Sequence, residues 1–209
     1  MITQLLFRIA TIALLAVVAI SANSQTVSHR DTTITFLKLV KRFDPEDKLT
    51  YDRMSIDTDY CKIISDPEKA AIAYTAFGIG SECWWDGEAN DNRSNLKCLI
   101  PSALGLGYQC SDTQLHFLRK WFRNDSAAMK SLEGCPTEPW TSTIQNAFDK
   151  IVFSTKGDVI TVHYKVSGFN MRENESWDWT ETVTFKVSND AIAIIKDKRG
   201  KLHSQRAHD

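Results

Sequence analysis

Much of what would mark a familiar enzyme is missing from this chain. There is no Cys-x-x-Cys and no His-Glu-x-x-His, which excludes the most frequent dithiol and zinc spacings. The pair Gly78 and Gly80 lacks a third glycine and follows a helical pattern instead of a strand, so it is not a phosphate-cradling loop. Charge of either sign is scarce in excess. With 25 Lys and Arg against 26 Asp and Glu, the formal net charge is −1. Such a balance gives no overall field to gather nucleic acid. No internal repeat is found, and no long apolar run follows the first residues. No cysteine precedes Cys61, which excludes a lipoprotein anchor at the end of the leader.

That leader is the first thing present. Arg8 supplies a short positive region, and Ile9 to Ile20 is an apolar run broken only by Thr11. The run is shorter than the ~20 residues of a spanning helix. Ala22 and Ser24 have the small-residue spacing that precedes cleavage, so residues 1–24 read as a secretory signal peptide. Removing it takes the net charge from −1 to −2, because Arg8 is its only charge. About 185 residues remain, enough for one domain with its own core. The expected product is a soluble protein, secreted or periplasmic, that no longer touches the membrane.

Hydrophobic period divides this domain into two parts. "TTITFLKLVKRF" half-fits both alternation and helical spacing and is read as a helix capped by Asp31; "LTYDRMSI" is a short strand. "SDPEKAAIAYTAFGIG" is a helix with Asp66 as N-cap, Pro67 in its first turn and Gly78 at its end. Ser111 and Gln114 form a capping box at the start of the next helix, whose basic face holds His116, Arg119, Lys120 and Arg123. A short helix from Ser126 to Leu132 is capped by Asp125. From "DKIVFSTKGDVITVHYKV" onward the period is two. A hairpin turning at Lys156-Gly157 puts Ile151, Phe153, Ile160 and Val162 on one face. Trp177, Trp179, Glu181, Val183, Phe185 and Val187 share a face of the next strand, and "AIAIIK" returns. The expected fold is α+β: N-terminal helices packed on one face of a C-terminal four-stranded antiparallel meander, disulfide-bonded. The domain boundaries are 25–195, with a loop-rich insert at 86–109 and a disordered basic tail at 196–209.

Five cysteines, Cys61, Cys83, Cys98, Cys110 and Cys135, lie in a chain expected to leave the cytosol, so disulfides are the default. The count is odd. One plausible set is Cys83–Cys98, closing the insert, and Cys110–Cys135, tying the ends of the helical segment, with Cys61 left over. Each would remove roughly 3 kcal/mol of unfolded-chain entropy. Cys83 has a second reading. In "SECWW" an aromatic follows the cysteine directly, which resembles papain-like cysteine proteases over those few letters and implies a hydrolase with Cys83 as nucleophile. Cys83 follows a helix end instead of beginning one. His163 lies on the strand face away from the core and His116 on an exposed helix face, so neither histidine has a reason to meet it.

Asp86, Glu88, Asn90 and Asn92 stand at every second position, as calcium ligands do, but Asp91 and Lys97 occupy places where a calcium loop needs glycine and glutamate. Hence no metal or other cofactor is expected. Asn92, Asn124 and Asn174 each begin an Asn-x-Ser sequon. The most informative stretch is the strand carrying Trp177, Trp179 and Glu181. A carboxylate on an apolar face must be paired or wet. Register puts Glu181 near Val162 or Tyr164, and a ligand cavity lined by Tyr164, Trp177, Trp179 and Glu181 would suit a sugar or a flat apolar molecule. The leading functional expectation is a non-enzymatic exported protein that binds another protein, as an inhibitor or an immunity protein does. The alternative is a small-ligand or carbohydrate binder on that Trp/Glu face, and the cysteine hydrolase comes last.

Overall fold

The period-two segments build the main element. A computed structural model describes residues 31–79, 96–134 and 144–206. Four long strands, β4 (Ile144–Lys156), β5 (Val159–Asn170), β6 (Glu175–Ser188) and β7 (Ala191–Arg199), form the expected antiparallel meander. Two further strands complete a six-stranded sheet. β1 (Thr32–Thr35) pairs with β4 at one margin, and β8 (His203–Arg206) continues the opposite margin beyond β7, pairing with the first residues of β6. A separate two-stranded ribbon is made of β2 (Leu37–Asp44) and β3 (Leu49–Ile56).

The helices are short: α1 (Thr58–Cys61), α2 (Asp66–Gly78), α3 (Leu96–Ala103), α4 (Asp112–Trp121) and α5 (Ser126–Ser131). Only α2 exceeds ten residues. The α+β expectation is therefore corrected: the protein is mostly β, with eight strands and five short helices among the described residues. The first reason lies in "TTITFLKLVKRF", which is not a helix. Alternation holds through Ile34 and Phe36 and then breaks, because Leu37 is buried as well. That break is where the chain leaves the large sheet for the ribbon. The second reason is the tail, where 203–206 pairs with β6 although 196–209 reads as unstructured. The disulfide framework also needs correction. Among the described residues no two cysteines stand at bonding distance, and Cys61 is a free thiol. Export favours disulfides by compartment, not by geometry, and Cys83 and Cys135 lie outside the described residues, as does the side chain of Cys98. The leader and the calcium-like positions 86–92 lie outside them too. The second half of the expected insert is α3 and a turn.

The core lies between the inner face of the sheet and the helices. Phe148, Ile151, Phe153, Ile160, Val162, Val166, Phe185 and Ile192 point inward and are buried. The expected faces hold, with a shift in register. Phe153 is opposite Val162 and Ile151 opposite Tyr164, because the turn is Gly157-Asp158, one residue later than the sequence suggests. A change of two in pairing keeps every side chain on its face. Gly157 takes φ of 58°, the left-handed value that such a tight hairpin requires. Tyr74 of α2 meets Phe122 at 4.4 Å between ring centroids, and Phe122 meets Phe185 edge-on at 6.1 Å.

Polar stitches fix the helices to the sheet. Ser65, one residue before the expected cap, begins α2. Its backbone N–H and hydroxyl both donate to Glu68 Oε2, at 2.9 and 2.8 Å. Glu68 Oε1 accepts from the hydroxyl of Thr155 on β4. Asp125 caps α5 through Oδ1, which accepts from Ala128 N at 3.0 Å, and its Oδ2 accepts from Ile194 N of β7 at 2.9 Å. Arg123 donates to the carbonyls of Asn189 and Asp190, the turn between β6 and β7. Among the described residues no helix is long and apolar enough to cross a membrane.

Candidate functional site

The four residues singled out in the sequence are brought together. Tyr164 is directly opposite Glu181, Val166 opposite Trp179, and Gly168 opposite Trp177, so all four side chains share the inner face near one end of β5 and β6. Tyr164, Trp179 and Glu181 pack closely and are only 4%, 5% and 9% exposed, while Trp177 is half-buried.

Glu181 is the centre of the group. Its Oε2 accepts from Trp179 Nε1 at 3.1 Å and from Arg199 Nε at 2.9 Å. Tyr164 donates to the same carboxylate. Burial pushes the Glu181 carboxyl up, but these hydrogen bonds and the Arg199 charge outweigh it, holding the carboxyl below the usual glutamate range. Burial, then the Glu181 charge, keeps Tyr164 protonated far above the ordinary tyrosine range. Asp197 lies beside them and is raised, first by loss of water and then by its contact with Glu181. The Arg199 guanidinium also sits 4.6 Å from the centre of the Trp179 ring, a cation–π contact. A carboxylate held ionised by three donors is an anchor. It is a poor proton donor at neutral pH.

Trp177 belongs to a second arrangement one row further along. Its Nε1 donates to Asn146 Oδ1 on β4 at 2.9 Å, crossing over Gly168 of β5. A Cβ at Gly168 would lie 2.1 Å from Trp177 Nε1 and 2.3 Å from Asn146 Oδ1. Glycine is required there because the indole occupies the space of a side chain.

Sequence reasoning misses Arg199, Asp197, Asn146 and Gly168. Arg199 and Asp197 fall in the stretch read as a tail, and a bulge hides their position. Ser188 pairs with Ala191 and Phe185 with Ile194, but Thr184 pairs with Lys196, leaving Ile195 as an extra residue. Unbroken alternation from the turn would place Lys198 against Glu181. The extra residue instead delivers Arg199 to the inner face and sends Lys196 and Lys198 outward. Strict counting in "AIAIIKDKRG" therefore gives the wrong basic residue; the doubled Ile194-Ile195 is the available signal.

The remaining chemical candidates are simply placed. Cys61 is a half-buried thiol, and burial followed by the Asp57 charge pushes its pKa up, away from nucleophilic thiolate. His163 is exposed on the outer face, 2.9 Å from the Thr182 hydroxyl. Among the described residues no three His, Cys, Asp or Glu converge as metal ligands. No family model, no curated protein and no solved structure matches the chain.

Proposed function

We propose that this is an exported, non-enzymatic protein that binds another protein, and that the β2–β3 ribbon is what it inserts into its partner. The single observation that carries this reading is the exposure of large apolar side chains on both faces of that ribbon. Leu39 and Phe43 are 65% and 63% exposed on one face; Leu49 and Tyr51 are 63% and 46% exposed on the other. The root is anchored. Phe36 and Leu37 are buried, Met54 and Ile56 pack against the core, and Asp57 N donates to Phe36 O at 2.9 Å. Beyond the root, among the described residues, the ribbon is held by its own ladder, by the exposed Lys41–Asp52 pair at 3.1 Å and by its turn, where Asp44 Oδ1 accepts from Glu46 N and Asp47 N.

A two-stranded ribbon alone in water is marginal. Apolar groups on both of its faces suit a cleft with two walls better than a flat surface. Such clusters of Leu, Phe and Tyr on a projecting element are the usual anchors of protein recognition. The Glu181 group fits the same reading, since its hydrogen bonds stiffen the sheet that carries the ribbon's root.

Site-specific crosslinking tests it. A photoreactive phenylalanine analogue at position 43, in the protein secreted by its own source, should crosslink one protein partner. The same group at the exposed Met171 should not, and Leu49→Ser with Tyr51→Ser should abolish the product. Equal crosslinking from both positions, or crosslinking only to a second copy of this chain, would overturn the proposal.

A further inference from the structure

We infer that the outer face of the six-stranded sheet is a docking surface for an anionic polysaccharide, carboxylated or sulfated. This inference is independent of the ribbon. The described helices pack on the opposite face, and pairing defines the rows of this one. One row runs Thr35, Val152, His163, Thr182, Lys198 across β1, β4, β5, β6 and β7. The next runs Thr33, Ser154, Thr161, Thr184, Lys196, and on the other side Lys150, Lys165 and Thr180 form a third. None of these residues is buried.

No acidic residue stands in the three rows. Acids flank them: Lys165 lies 3.8 Å from Asp149 and 3.6 Å from Asp178 at one end, and Lys186 pairs with Asp158 at the other. Lys150, Lys196 and Lys198 enter no ion pair among the described residues. The bulge at Ile195 is responsible for two of them, since without it Lys196 and Lys198 would turn inward. The fold thus spends an extra residue to put two unpaired cations beside a field of hydroxyls. A chain with a net charge of −1 concentrates positive charge here.

The rest of the face selects among polyanions. The three rows hold no Phe, Tyr, Trp, Met or Arg, the anchors on which a protein interface normally centres; the exposed Phe169 stands two rows beyond Lys165 on the same face. The rows themselves offer no indole, phenol or phenyl platform for unstacked bases and no arginine fork for phosphate. Val152 is their one apolar side chain, too little to wedge into a membrane. Threonine and serine hydroxyls both donate and accept, which matches sugar hydroxyls, while the lysines match carboxylate or sulfate groups. Rows recur every ~6.8 Å along the strands and cross strands ~4.8 Å apart, so a linear polymer meets a repeating grid.

The full secreted chain should be retained on immobilised polygalacturonate and dextran sulfate at low salt, with affinity falling as salt rises, and should ignore neutral dextran. Lys196→Gln with Lys198→Gln should weaken binding about tenfold. Lys150→Gln with Lys165→Gln should act similarly. These side chains are outside the core, so circular dichroism should be unchanged. Retention that survives both double substitutions, or no retention at all, would overturn the inference. Equal or tighter binding to polyglutamate or to a short DNA duplex would overturn the choice of polysaccharide.

Discussion

Gly168→Ala is the sharpest probe of the Trp177–Asn146 bridge. The new methyl carbon would sit 2.1 Å from Trp177 Nε1, 2.3 Å from Trp177 Cε2 and 2.3 Å from Asn146 Oδ1. Ordinary contact needs about 3.5 Å, so the indole or the amide must move by more than ~1 Å. Forcing a group into a packed site costs about 1–3 kcal/mol. Separating the 2.9 Å hydrogen bond adds about 1 kcal/mol, more if a half-buried partner is left bare. Against this, alanine restricts the unfolded chain and returns about 0.4–1 kcal/mol. The net expectation is destabilisation of about 3 kcal/mol, which lowers the unfolding midpoint on the order of 10 °C for a domain of this size. Urea unfolding followed by tryptophan emission and by far-ultraviolet circular dichroism measures it. In a background carrying Trp177→Leu and Asn146→Ala the same substitution should cost less than about 1 kcal/mol, since both obstructing groups are gone. A change within about 0.5 kcal/mol in the parent, or an undiminished cost in that background, would refute the steric reasoning.

The polar groups give further expectations. Asp197 holds its proton to higher pH than an ordinary aspartate near 3.8, so the unfolded chain releases that proton first and stability falls as pH rises through this window. Asp197→Asn should therefore raise the unfolding midpoint at pH 7 and converge on the parent in strong acid. Glu181 has the opposite sign: its contribution is complete above the ordinary glutamate range and is lost as pH falls through its lowered value, so Glu181→Gln should flatten the acid side of the stability profile. Asp125→Ala removes the acceptor for both Ala128 N and Ile194 N and should cost about 2–3 kcal/mol by urea unfolding; Asp125→Asn should restore part of it.

The meander was legible because its inner faces are apolar without interruption. Parity assigned Ile151, Phe153, Ile160 and Val162 correctly even with the turn misplaced by one residue, since slips of two are invisible to alternation. The Tyr164–Glu181 contact was legible for the same reason. The two misread strand segments share one physical cause, the loss of strict alternation. At Phe36 and Leu37 both side chains are buried because one closes the large sheet and the other roots the ribbon, and the mixed pattern mimics a helix. At Ile195 the bulge inverts the faces and makes "KDKRG" look patternless. Helix caps read well where side chains bond locally, at Ser111 and Asp125, and less well at Ser65, where Glu68 reaches back. Gly168 gives no sequence signal, since the need for it arises from an indole on another strand.

The two margins of the large sheet come from opposite ends of the described chain. Thr32 pairs with Thr155, and Arg206 pairs with Glu175. A nascent polypeptide therefore holds β1 idle until β4 has been synthesised, and the first residues of β6 stay open along one side until β8 has left the ribosome. Sheets closed by such distant pairings fold slowly compared with helical bundles. Completion of this one waits for the last of its strands instead of keeping pace with translation.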